Sequence, residues 1–138
     1  MQIKLIASLT LLLSACSQYD VTINDRPVYT PPPLFTDYQF TDLNLRNCVA
    51  QTIDDQAIRS ASALKQLNCA DAGIQEVKGI AVFSQLRALN LRNNHLRTLG
   101  DIRLLGELET LIISNNQVEE ASGILPLLKL QILDLDEN

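Results

Sequence analysis

Tryptophan is absent from this chain, and the other aromatics are few: three Phe and three Tyr among 138 residues. A core built from it must therefore be packed with Leu, Ile, Val and Ala. Histidine is nearly missing too. The one copy, His95, follows Asn94 at a variable turn position, where a solvated side chain is expected rather than a catalytic base. No HExxH, GxSxG or phosphate-loop pattern occurs, so the spacings that place a metal, a nucleophile or a nucleotide are missing. No enzyme activity, cofactor or metal site is expected on these grounds. Positive charge is also short. Eleven Lys and Arg stand against sixteen Asp and Glu, a formal charge of −5, and the basic residues are scattered apart from Arg87, Arg92, Arg97 and Arg103. Phosphate neutralisation needs clustered cations, which argues against a nucleic-acid partner. No apolar run reaches the roughly 20 residues of a membrane-spanning helix. The length leaves room for one modest domain.

What is present begins with an export pattern over residues 1–15. Lys4 supplies a short positive region, and Leu5 to Leu13 form an apolar stretch too short to span a bilayer. The stretch ends in Leu13-Ser14-Ala15-Cys16. This resembles the lipobox of bacterial lipoproteins, in which an aliphatic residue and two small residues precede an obligatory Cys. The resemblance implies acylation of Cys16 and attachment to a membrane. Because Ser17 rather than Asp follows the Cys, it also implies the cell outer membrane, on its periplasmic or surface face. Acyl chains contribute about 0.8 kcal/mol per buried CH₂, so several chains on one residue anchor almost permanently. Residues 16–36 hold few core formers and include Pro27, Pro31, Pro32 and Pro33. Such a composition predicts a semi-rigid, extended spacer. The alternative is a segment that packs on the domain through Val28, Tyr29, Leu34 and Phe35.

The strongest pattern is a repeat. Leu64, Leu86, Leu108 and Leu130 stand 22 residues apart. From Leu86 the chain reads Leu89, Leu91, Asn94, Leu96, Leu99, Ile102 and Leu105; from Leu108 it reads Leu111, Ile113, Asn116, Val118, Ala121, Ile124 and Leu127. The first unit has Leu67, Cys69, Ile74, Val77, Ile80 and Phe83, with Ala72 where Asn is due, and the fourth has Leu133, Leu135 and Asn138. This resembles the leucine-rich repeat over residues 64–138. The implied fold is an α/β right-handed solenoid of about three and a half repeats. Closely spaced Leu residues put alternate side chains of a short strand inward. The Asn turns the chain and bonds the backbone groups that the turn leaves open. Apolar residues at intervals of three line the return, as 3₁₀ or irregular turns. No coil buries its own face, so neighbours must stack.

The first coil then needs a lid. Residues 37–63 are expected to supply one, with Thr41 or Asp42 capping a helix to about Thr52, and Leu45, Cys48, Val49 and Thr52 near one face. Asp54 or Asp55 is expected to open a second short turn holding Ala57, Ile58 and Ala61. Phe40, Asp42, Asn44-Leu45, Val49, Leu64, Leu67 and the Gly79-Ile80 pair resemble the cap and first coil of the internalin family. Internalins are surface proteins whose repeat face binds host receptors. The chain departs from them in carrying far fewer repeats and a lipobox. Cys48 falls on the cap helix and Cys69 at an inward position of the first strand. A disulfide between them suits an exported protein and contributes about 3 kcal/mol; the alternative is two buried thiols acting as small hydrophobes.

The outward strand positions form the expected partner-binding concave face. They are Asn68 with Gln66 and Ala70, then Asn90 and Arg92 with Ala88, then Thr110, Ile112 and Ser114, then Ile132, Asp134 and Asp136. Asn93, His95, Arg97 and Asn115 fall on one rim. The acidic end is expected to be a solvated strand surface rather than a calcium site. Four strands about 4.8 Å apart span some 15 Å, and five residues of strand about 17 Å, which makes a few hundred Å². A standard interface uses about 800 Å² per partner, so the rims or the edge must contribute. The fourth unit reaches Asn138 in mid-repeat. Its edge is expected either to self-associate or to accept a partner strand, unless the chain is a truncated form of a longer repeat protein. The expected function is a membrane-anchored, non-catalytic module that binds an unknown protein partner at the bacterial envelope. A surface adhesin or an envelope assembly lipoprotein are the alternatives.

Overall fold

The computed structural model describes residues 21–23 and 25–138. Residues 1–20, including Cys16, the lipobox and the start of the expected spacer, lie outside the described residues. Two units separate, at residues 1–33 and 34–138. In the first, β1 (Val21–Ile23) pairs antiparallel with β2 (Arg26–Tyr29). Asp25 turns between them with φ of 59°, a conformation that Asp tolerates better than most residues. This part of the expected spacer is therefore a hairpin and not one continuous extended run. The end of the expected spacer belongs to the second unit. Leu34 and Phe35 are partly buried against its core, and the Phe35 N–H donates to the Ile58 carbonyl at 2.8 Å.

The second unit opens with its lid. Helix α1 (Leu43–Asp55) is capped by Asp42, whose carboxylate accepts from the Asn44 and Leu45 N–H groups. Leu45, Val49 and Ile53 are its buried stripe, at the i, i+4, i+8 spacing of one helix face. The helix runs past the expected stop at Thr52. The turn that starts at Asp54, with the Ala57 N–H on the Asp54 carbonyl at 3.2 Å, closes α1 and opens no second helical segment. The Ile58 N–H instead folds back to the Ile53 carbonyl at 2.9 Å, and Ala57 takes a positive φ of 50°. The next helical turn is a 3₁₀ segment at Ala61–Ala63.

Four short strands follow: β3 (Gln66–Asn68), β4 (Ala88–Asn90), β5 (Thr110–Ile112) and β6 (Ile132–Asp134). They make one parallel sheet in the order β3-β4-β5-β6. Gln66 pairs with Ala88, Ala88 with Thr110 and Thr110 with Ile132. The sheet register is thus the sequence repeat itself. The return side holds 3₁₀ turns at Ile80–Val82, Gly100–Leu104 and Ser122–Ile124, where apolar residues recur every third position. The result is the expected α/β leucine-rich-repeat solenoid. Its core is a column of aliphatic layers, of which Leu64, Leu86 and Leu108 form one, with Leu67, Leu89 and Leu111 beside it. Each such side chain stabilises the fold by about 1.5–3 kcal/mol relative to exposure.

Four of the six aromatics gather in one place. Phe35, Tyr38, Phe40 and Phe83 pack with ring centroids 5.4 to 6.4 Å apart. They fill the gap where the segment before α1 crosses the first coil. Gly79 makes that crossing feasible. Its φ is 96°, and a Cβ there would lie 2.3 Å from the Gln39 carbonyl oxygen, well inside any tolerated contact. Cys48 on α1 and Cys69 after β3 form a disulfide, with Cα atoms 5.9 Å apart. The lid is thus joined covalently to the first coil.

Candidate binding face

The turn that ends each strand is built from two asparagine columns. At the inner column, Asn94 donates from Nδ2 to the carbonyls of Cys69, Leu91 and Arg92, and accepts from the Ile74 N–H at Oδ1. Asn116 repeats this with Leu91, Ile113, Ser114 and the Leu96 N–H. Asn138 does the same with Ile113, Leu135, Asp136 and the Val118 N–H. Each amide ties its own turn to the coil before it. At Ala72 the neighbour is helix α1 and not a coil, and the tie runs the other way: Asn44 Nδ2 donates from the helix to the Gly73 carbonyl at 2.9 Å. The residue before each of these positions has a positive φ: Asp71, Asn93, Asn115 and Glu137, at 53° to 57°. Asn93 donates to Asp71 and Asn115 to Asn93, both at 2.7 Å, so the outer column is linked as well.

With the turns fixed, the outward strand side chains stand in three rows across the sheet. Gln66, Ala88, Thr110 and Ile132 make the first, and Asn68, Asn90, Ile112 and Asp134 the second. Ala70, Arg92, Ser114 and Asp136 continue each strand by two residues. The sheet therefore brings together every residue proposed for the face. Ser114 is the exception to its exposure. It is only 6% accessible, because its hydroxyl turns along the sheet and donates to Asp134 Oδ2 at 2.8 Å. Ser114 thus braces Asp134 and does not itself face a partner. Ile132 is 57% exposed and Ile112 about half-buried. Among the described residues no group of three His, Cys, Asp or Glu is placed to hold a metal ion, and no helix is long and apolar enough to cross a membrane.

Beside the face lies an open groove of about 780 Å³, lined by Thr41, Leu43, Asn44, Glu76, His95 and Arg97 among others. The sequence marked His95 and Arg97 as rim residues but gave no sign of the groove. One wall is the start of α1, a segment whose pattern declares only that it is a lid. Asp42 stands at the junction. Its Oδ1 accepts from the Asn44 and Leu45 N–H groups, and its Oδ2 from those of Gln75 and Glu76 at 2.7 and 3.2 Å. Partial burial raises the Asp42 pKa, but the four backbone N–H bonds outweigh this and hold it below the ordinary 3.8. The aspartate thus caps the helix and also bonds the turn of the first coil.

No known family profile and no curated relative matches the chain. Solved structures do. An internalin (InlF) from Listeria monocytogenes is 22% identical with a TM-score of 0.64, over 70% of this chain and 30% of that one. The functional domain of InlJ from Listeria monocytogenes, described as including a cysteine ladder, is 27% identical with a TM-score of 0.64, over 70% of this chain and 22% of that one. The chain spans less than a third of either protein. What they share with it is the internalin-like leucine-rich-repeat fold.

Proposed function

We propose that this is a non-catalytic binding protein of the bacterial cell envelope, anchored to the outer membrane through an acylated Cys16, which takes a protein partner on the face of β3 to β6. The observation that carries the binding role is the division of the strand side chains. Inward positions are spent on the core, whereas Asn68, Asn90, Arg92, Thr110, Ile112, Ile132, Asp134 and Asp136 are displayed together on one rigid sheet. Rigid display of this kind reduces the ordering cost of association. The internalin-like fold supports the same reading. The face is smaller than a standard interface, so the groove beside His95 and Arg97 is assigned the remaining contact.

Two experiments test the two halves of this. A photo-crosslinking residue at Thr110 should capture a protein in intact cells, and the same residue at Arg103, on the 3₁₀ side, should not. Equal capture at both positions would remove the face from the proposal. For the anchor, the chain should incorporate an alkyne fatty acid and sediment with outer membranes, and C16A should do neither.

A second reading has its own observation. Leu125 and Leu128 are 78% and 90% exposed, and Ile132 and Leu133 are exposed beside them on the last strand. Exposed aliphatics next to a strand edge favour pairing with another chain. In that reading β6 self-associates. Light scattering of the lipid-free chain at high concentration should give a dimer mass, which L128E abolishes.

A further inference from the structure

We propose that the strand face recognises polarity: it fits a protein segment bearing a carboxylate and a cation about 10 Å apart, the carboxylate over Asn68, Asn90 and Arg92 and the cation over Asp134 and Asp136. This rests on the binding role proposed above and specifies the chemistry of its partner.

The assignment comes from how the face spends its hydrogen bonds. Asn68 Oδ1 accepts from the Ala70 N–H at 3.2 Å, and Asn90 Oδ1 from the Arg92 N–H at 3.0 Å. Only an oxygen can accept there, so the amide orientation is fixed. Each Nδ2 is left to point away from the turn, and neither has a hydrogen-bond partner among the described residues. Arg92 is exposed and pairs with no carboxylate among them. The end of the face nearer the cap therefore turns three unpaired donor groups outward, the Nδ2 of Asn68 and Asn90 and the Arg92 guanidinium, with no side-chain carboxylate paired to them.

Two strands on, the chemistry inverts. Asp134 Oδ1 accepts from the Asp136 N–H at 3.1 Å and Oδ2 from the Ser114 hydroxyl at 2.8 Å. These bonds hold the carboxylate in place and leave lone pairs on both oxygens. Asp136 is exposed next to it. This end presents acceptors alone. The two ends are two strand spacings apart, about 10 Å, and no ion pair joins them among the described residues. Ile112, on β5 between Asn90 and Asp134, gives the middle an apolar floor. An extended segment spans that distance in about three residues, so charges three or four residues apart on a partner reach both ends.

The test uses the full chain in detergent micelles and three capped five-residue peptides. One has Asp first and Lys last around three apolar residues, one has Asp at both ends, and one has Lys at both ends. Binding is followed by side-chain amide shifts of Asn68 and Asn90 in low salt. The mixed peptide should bind about threefold more tightly than either other, the scale of exposed charge contacts. R92E should turn the preference to the two-Lys peptide, and D136K to the two-Asp peptide, with thermal melting unchanged for both. Equal affinity for all three peptides, no binding, or a rank order indifferent to R92E and D136K overturns the proposal. Crosslinking from Thr110 separates this from the reading it rests on. A partner captured there by R92E and D136K as well as by the unaltered chain leaves the binding role standing and removes the polarity; no capture by the unaltered chain removes the binding role.

Discussion

The two ends of the solenoid hold the same kind of residue in opposite conditions. Leu67 in the first coil and Leu133 in the fourth occupy the same repeat position, yet Leu67 is 2% exposed and Leu133 is 41%. The difference is the neighbour. Over the first coil lie α1, the aromatic cluster and the Cys48–Cys69 bond. Over the fourth nothing lies among the described residues. A repeat position is thus no guarantee of burial: a coil contributes a layer, and the layer becomes core only when a second surface covers it.

Truncating the two leucines is the most direct way to break the comparison. L67A, covered by α1 on one side and the second coil on the other, should lower unfolding stability by about 3 kcal/mol, whereas L133A should lower it by less than about 1 kcal/mol. Urea denaturation at fixed, low protein concentration measures both. A large loss for L133A that vanishes on dilution would show that another chain covers the fourth coil.

The staple comes next in size. Replacing Cys48 and Cys69 together by Ala should cost about 3 kcal/mol by the loop-closure rule for this separation. The effect should also be local. Hydrogen exchange should quicken in α1 and the first coil and stay unchanged around β6. Uniform quickening would mean that the coils melt as one body and that nearest-neighbour stability is the wrong description.

The asparagine column sharpens the same contrast at a smaller scale. Asn116 is buried with four hydrogen bonds, and Asn138 makes the same set while exposed. N116A leaves carbonyls and an N–H without partners away from water and should cost about 2 kcal/mol, while N138A, where water replaces the amide, should cost about 0.5 kcal/mol. Equal costs would assign the column's value to turn geometry instead of to burial.

The sheet register was legible because the repeat is one: residues in phase in the sequence are neighbours in space. The face and the inner asparagine column were legible for the same reason. Asn94 and Asn116 announced the column, and Ala72 was visible as a departure from it. Why Ala72 departs was not visible, since the reason lies in what precedes the coil in space. Most features made by contact between unlike segments were hidden in the same way, the Cys48–Cys69 bond between lid and first coil being the exception. The packing of Leu34 and Phe35 on the domain was legible only as the alternative to a spacer, because nothing local shows that Phe83 waits for Phe35. Ile53 was passed over because Thr52 looked like the helix end, and only the fold-back of Ile58 places the stop later. Ser114 had the right phase for the face, but its bond to Asp134 depends on a side chain one coil away.

Asp42 gives the most specific test, because at the cap a single carboxylate does the work that the coils give to amides. Asparagine does not titrate, so the bonds of the inner column should be indifferent to pH. The cap junction should not be. The folded pKa of Asp42 lies below its ordinary value of 3.8, so folding favours the charged form. That contribution is fully present above the unfolded value and is lost as pH falls through the folded one. Chemical denaturation between pH 6 and pH 2.5 should therefore show a loss of stability that begins near pH 5 and continues below 3.8. In D42N, which keeps one acceptor at the helix start, sets an amide donor against the Gln75 and Glu76 N–H groups and cannot titrate, that share of the slope should disappear, with a loss of about 1–3 kcal/mol at pH 7. The same slope in D42N and the unaltered chain would move the acid sensitivity to other carboxylates and leave Asp42 as an ordinary helix cap.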